Sequence, residues 1–265
     1  MEAVRALIAV VVLVLLARSA RLAWRHRHIS RRVWRAVRPQ HVAGSVGLLA
    51  VVLATLASLL AFVPGAWIGL GSLVGLTGNA VFAPLEGVAL AGGDEASGLA
   101  RPPLWTVGTA MGFLVLLVAL LPWLAFVEER IFREGLEQAS LPRELWSALR
   151  FGLLHLIMLI PLGAALAIAV AGFIYGRIYR RAYARSRQRA AELERAAERR
   201  RAAEREQADP VPAGAAWPAP APVGPTVGQS RAEAVLAATV WHTTFNTLVV
   251  VLVGVALLLE WALPA

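Results

Sequence analysis

The sequence predicts an all-α protein, a polytopic membrane helix bundle of about six spans plus one interfacial or re-entrant segment. Three observations carry this. The 265 residues are 58% hydrophobic and 16% charged, with a mean hydropathy of +0.63, a membrane rather than a soluble composition. Apolar stretches of spanning length recur along the chain. The basic residues are all Arg and gather between those stretches, the pattern that records orientation and contact with anionic lipid. That distribution favours the bilayer over nucleic acid as the partner of a +9 chain. With no Cys, disulfides, thiolate metal sites, a Cys nucleophile and palmitoylation are excluded. The Arg- and Ala-rich usage points to a GC-rich bacterial genome, and so to a bacterial inner or cytoplasmic membrane.

Taken in order, Ala6–Ala17 is a short first span with Arg ends, and a signal peptide is its rival reading. Arg18–His41 holds eight Arg with Trp24 and Trp34, an interfacial helix or loop in which His26 and His28 belong to a basic surface. Val42–Val63 is the second span, closed by Pro64. Ala66–Gly93 is apolar, Gly-rich and broken at Pro84, and is the interfacial or re-entrant segment. Leu104–Val127 has no charged residue and begins a third span that continues towards Ser140, where Leu141-Pro142 breaks the helix. Arg143–Ile160 and Leu162–Tyr183 are the fourth and fifth, with Gly172 and Gly176 as a close-packing face. Ala184–Asp209 alternates Arg, Glu and Ala as a solvated helix, and Pro210–Gly228 is a Pro/Ala-rich linker. Arg231–Leu263 is the last span. The chain therefore divides into 1–103, a core at 104–183, a cytoplasmic insert at 184–230, of which 186–228 is expected to bury almost no apolar surface, and 231–265. Segments 18–41, 128–150 and 177–231 fall on one side, which the positive-inside rule makes cytoplasmic.

Polar residues inside apolar spans are the candidate site, because an ionisable group there costs about 2.5–3.5 kcal/mol and faces a cavity or a partner. Glu128 and Glu129 follow the uncharged stretch. Glu129 and Arg133 are four apart and can pair, which leaves Glu128 free. His155 lies in the fourth span, and His242 shares a helical face with Asn246 in the last. Counted from Ser140, Arg143 and Arg231, the residues Glu128, His155 and His242 lie roughly 16–18 Å from the Arg-rich side, at one level. Two Glu can also simply mark where a span meets water, and a lone His on an apolar helix is commonly a packing residue. A shared level on three helices favours a working site, with Trp123 and Trp241 as further lining residues.

The order EExxxR, FxxxH, HxxxN on successive membrane helices, here Glu128-Glu129 with Arg133, Phe151 with His155, and His242 with Asn246, resembles the CPBP intramembrane proteases. That family includes the type II CAAX prenyl endopeptidases and bacteriocin-processing relatives. The resemblance covers roughly 104–183 and 231–250. It implies a helix bundle around a polar cavity open to the cytosol. It also implies that Glu128 and His155 activate water, that His242 and Asn246 stabilise the oxyanion, and that Glu129, Arg133 and Phe151 support them. Glu134 stands where the family often has Gly directly after the motif Arg, and 184–230 is inserted between the second and third motifs.

The chemistry suits the residue types. A desolvated Glu serves as base and then acid, and each oxyanion donor is worth roughly 2.7–4 kcal/mol. The expected function is an intramembrane endopeptidase acting on membrane-bound or membrane-proximal peptides. The alternatives are a non-catalytic scaffold or immunity-type relative whose insert recruits a protein partner, and a transporter using the buried carboxylates. No cofactor is expected, since HExxH is absent; a zinc ion on Glu128, His155 and His242 is the alternative.

Overall fold

A chain inside hydrocarbon has no water to satisfy its backbone N–H and C=O groups, and a helix satisfies them within one segment. The computed structural model describes residues 2–69, 104–207 and 224–262. Among these residues it holds seven α-helices, one 3-10 turn and no strand. The helices are α1 (Glu2–Arg25), α2 (Arg27–Ala36), α3 (Pro39–Phe62), α4 (Leu104–Arg133), α5 (Leu141–Leu154), α6 (Leu162–Gln207) and α7 (Val227–Ala262). Five of them, α1, α3, α4, α6 and α7, are long and apolar enough to cross a membrane. The all-α polytopic class read from the sequence is the class observed.

The expected fourth span, Arg143–Ile160, takes a different form. Helix α5 has 14 residues, His155–Met158 is a 3-10 turn, and Leu159 is left-handed at φ 64°. Pro161 disfavours helix at the residue before it and removes one N–H donor. The broken element still joins the two ends of the bundle. Glu144 meets Arg177 and Arg180 at the Arg-rich end, and Pro161 pairs with Gly69 beyond the end of α3. There the N–H groups of Leu162 and Gly163 donate to the carbonyls of Ile68 and Ala66.

Three other boundaries move. Helix α1 runs through Arg18 and Arg21 to Arg25, a longer first span than the apolar run suggests, because Arg stems lie along apolar surface while their heads reach water. Helix α4 stops at Arg133 rather than near Ser140. Gly135 at φ +93° turns the chain, a conformation open to Gly and costly for other residues. Helix α6 crosses position 184 without a break, and α7 starts four residues before Arg231. The insert is also less detached than expected. Ser186 and Ala190 are buried, Ser186 Oγ donates to Ser230 Oγ at 3.0 Å, and Gly224 lies directly on Ala190. Of the expected re-entrant segment only Ala66–Gly69 is described; 70–103 and the linker residues 208–223 lie outside the described residues.

Packing inside the bundle rests on small residues, because lipid is as apolar as Leu and only close contact is gained by helix association. A Cβ on Gly152 would strike the carbonyl oxygen of Ala165 and lie 2.7 Å from Ala169 Cβ. One on Gly172 would lie 2.6 Å from the Phe151 ring, and Gly176 faces Glu144. The close-packing face of α6 is therefore used against α5. Leu48 and Val52 of α3 meet Ala167, Ala171 and Tyr175 of α6 and Phe245 of α7 in one apolar cluster. Phe113, Leu114, Leu117 and Leu121 of α4 meet Val250 of α7 in another.

Candidate active site

The site forms where the last turns of α4 meet the middle of α7. Glu129 and Arg133, one turn apart on α4, are fully buried, and Arg133 Nε donates to Glu129 Oε2 at 3.1 Å. The second oxygen of Glu129, Oε1, lies 2.9 Å from His242 Nδ1. The carboxylate thus holds a guanidinium with one oxygen and an imidazole with the other. An ionised carboxylate only accepts hydrogen bonds, so Nδ1 carries the proton in this arrangement and Nε2 is left open. His242 Nε2 faces Glu128, whose Oε2 is 3.6 Å away.

Glu128 does not share in the Arg133 pair. Its side chain is 35% exposed, against 0% for Glu129, and its Oε2 accepts no hydrogen bond among the described residues. A separation of 3.6 Å is too long for a direct hydrogen bond. Opening the pair to about 4.5 Å would let one water bond both atoms at about 2.8 Å.

Aromatic rings fix these groups. The Arg133 guanidinium lies 4.8 Å from the centroid of Phe151, in cation–π range. Nη1 and Nη2 of Arg133 are buried without hydrogen-bond partners among the described residues. The Phe151 ring also packs edge-on against His242 at 5.6 Å and against His155 at 4.9 Å. Tyr175 of α6 stacks on His242 at 4.8 Å, with its hydroxyl buried and unpartnered among the described residues. Ser147 of α5 donates to the Phe132 carbonyl at 2.6 Å, tying α5 to the end of α4.

The structure joins five of the seven candidate residues into one contact network: Glu128, Glu129, Arg133, Phe151 and His242. His155 is held apart from Glu128. Its Nδ1 lies 2.8 Å from the Phe151 carbonyl oxygen and its ring packs on the Phe151 ring, and among the described residues Phe151 is its link to the network. Asn246 sits one turn beyond His242, half-buried, with no hydrogen bond among the described residues. The two tryptophans go elsewhere. Trp123 stacks on His26 at 4.6 Å, and Trp241 covers Gly44 and meets His41 edge-on. For the zinc alternative, Glu128 and His242 Nε2 point at one another, but no group of three His, Cys, Asp or Glu suited to an ion occurs among the described residues.

Sequence reasoning missed Tyr175, whose only signal is a Tyr one turn after Gly172 on the close-packing face. It also missed two latches at the Arg-rich end. Buried Glu144 accepts from Arg180 at 2.7 Å and Arg177 at 3.4 Å. Glu137 Oε1 accepts from Arg231 at 2.7 Å and from the Tyr179 hydroxyl at 2.8 Å. Comparison with family models, with curated proteins and with solved structures returns no match for the chain.

Proposed function

We propose that the protein is an intramembrane endopeptidase that hydrolyses peptide bonds of membrane-bound or membrane-proximal substrates with Glu128 as the base. The observation that carries the proposal is the contrast within the Glu pair. Glu129 is spent on orienting His242, whereas Glu128 is open and faces the free nitrogen of that imidazole. The resemblance to the CPBP proteases points the same way, with a cytoplasmic opening at the Arg-rich end.

Water held between Glu128 and His242 gives its proton to Glu128 as its oxygen attacks the peptide carbonyl carbon. The carbonyl oxygen becomes an oxyanion. Nε2 of His242, unprotonated while Nδ1–H is held by Glu129, accepts from the same water and orients it for the attack. The Asn246 amide, on the same face as His242, is the donor to the oxyanion. Breakdown of the tetrahedral intermediate breaks the C–N bond, and Glu128 passes its proton to the leaving amine. His155 acts on the far side of the Phe151 contact, as a positioning residue.

The test is cleavage of membrane peptides by the purified chain in detergent, with no ion gradient. Glu128→Gln should lower cleavage at least a hundredfold, the usual scale of general acid–base catalysis, with the melting temperature kept. Full activity in this variant would remove Glu128 from the chemistry. Cleavage should survive a strong zinc chelator; loss on chelation with recovery on added zinc would make Glu128 and His242 ligands instead. No cleavage, with gradient-dependent flux in vesicles, would favour transport. Neither activity, with a partner held by the insert, would favour a scaffold.

A further inference from the structure

A groove of about 970 Å³ opens at the Arg-rich end between the start of α3, α6 and α7. It lies on a different face of α7 from His242. One wall is cationic: Arg181, Arg185 and Arg189 repeat every four residues along α6 and so share one face. The opposite wall is apolar, made by Leu236, Val240 and Trp241 of α7. Two carboxylates also line it, one paired with Arg and one bonded only to a neutral amide, so the three Arg outweigh them by one charge. Glu233 pairs with Arg189 at 3.1 Å, and Glu192 accepts from Gln188 at 3.0 Å. Arg181 and Arg185 are exposed and have no acidic partner among the described residues.

We infer that this groove is a binding site for the headgroup of an anionic phospholipid. The charge complement is two free guanidiniums, which suit a phosphodiester with its paired oxygens. The apolar wall of Trp241 and Val240 suits the glycerol and the first acyl carbons, and Trp favours this interfacial depth. The position suits it too, because the groove begins where α3 enters the apolar region. Basic pockets between spans at the cytoplasmic level are the places where anionic headgroups bind. This site stands independently of the catalytic reading, since neither Arg touches the Glu128–His242 network.

The experiment uses the full chain in mild detergent, titrated with dioleoyl phosphatidylglycerol, with dioleoyl phosphatidylcholine, and with inorganic phosphate. Bound lipid is counted by mass spectrometry of the intact protein. One saturable phosphatidylglycerol is expected, with neither phosphatidylcholine nor phosphate occupying the site at matched concentration. One Arg near an anionic surface contributes about fivefold, so the double variant R181Q/R185Q should bind about thirtyfold more weakly, and R185Q alone about fivefold. R181K/R185K, which keeps the charge but loses the paired donors, should bind more tightly than R181Q/R185Q and more weakly than the unaltered chain. R31Q/R32Q on α2 removes the same charge from a different surface and should leave the saturable site unchanged. Unchanged binding in R181Q/R185Q, an equal loss in R31Q/R32Q, or equal retention of phosphatidylcholine would each overturn the inference. Saturation by phosphate alone would overturn it as well, in favour of a small-anion site. Melting temperatures without added lipid, equal to that of the unaltered chain, separate lost binding from lost folding.

Discussion

At the scale of single residues, Glu129 has the most constrained surroundings. Both of its oxygens are used, by Arg133 at 3.1 Å and by His242 at 2.9 Å, and none of its side chain meets solvent. Removing one partner of a buried pair leaves the other uncompensated, a loss of about 3–5 kcal/mol. Glu129→Gln should therefore lower both activity and thermal stability, while Glu128→Gln lowers activity alone. The pair of melting curves separates the two Glu; equal stability of both variants would show that Arg133 finds another partner. Part of this division was legible, since the spacing of four to Arg133 singles out Glu129. The bond from Glu129 to His242 was not, because it crosses 113 positions of sequence and depends on how α4 and α7 are rotated. The level of the site was legible for the wrong reason. Glu128 is twelve residues before Ser140, but only the five to Arg133 are helix, whereas α7 is helical all the way from Arg231 to His242.

Among the elements, α5 and α6 show how closely the bundle is fitted. Gly152 and Gly172 admit the opposing backbone and the Phe151 ring, and Phe151 in turn supports Arg133. Gly152→Ala should destabilise by about 1–3 kcal/mol, because the atoms it meets are backbone that cannot swing aside. Gly112→Ala, at a position on α4 with open space around it, is the control and should cost nothing. A neutral Gly152→Ala would mean that α5 can shift. The loop between α4 and α5 supplies a second element-scale test. Burial alone would raise the Glu137 carboxyl, but hydrogen bonds from Tyr179 and the Gly135 N–H and the charge of Arg231 together bring it below the ordinary 4.5. A carboxyl depressed by folding stabilises the fold above its unfolded value and loses that contribution as pH falls through its folded value. The melting temperature should thus fall below pH 4.5, and Glu137→Gln should be less stable than the unaltered chain at pH 7 and converge with it in acid. Parallel curves at every pH would show that Glu137 is not the titrating latch. The helix order of these elements was legible from hydropathy and Pro placement. The start of the break in α5 was not, because Leu156–Leu159 reads as apolar helix and Pro161 marks only its far end, where the backbone pairs with Gly69.

At the scale of the whole molecule, α6 is one helix of 46 residues, about 69 Å long. Composition divides it at 184, and that contrast suggested a detached insert. Composition carries no record of the tertiary contacts that tie Ser186 to Ser230 and Ala190 to Gly224. The chain leaves the bundle after Ala190, runs to Gln207, and is back beside Ala190 at Gly224. The sixteen residues 208–223 reach up to about 55 Å when extended. The way back along the helix, seventeen residues from Ala190 to Gln207, is only about 25 Å. The connection is therefore longer than the geometry needs, and closure cost rises only slowly with length.

Because both ends of this excursion are gripped independently of what joins them, the protein is severable. A gene split between Gln207 and Gly224 would encode one polypeptide carrying Glu128, Glu129, Arg133, Phe151 and His155 and another carrying His242 and Asn246. Helix α7 is apolar enough to enter a membrane alone, and its contacts with α3, α4 and α6 are side-chain packing that needs no covalent link. Co-expressed halves should co-purify and recover whatever activity the intact chain has, whereas either half alone has none. Halves that insert but do not associate would show that the peptide connection itself holds α7 in place.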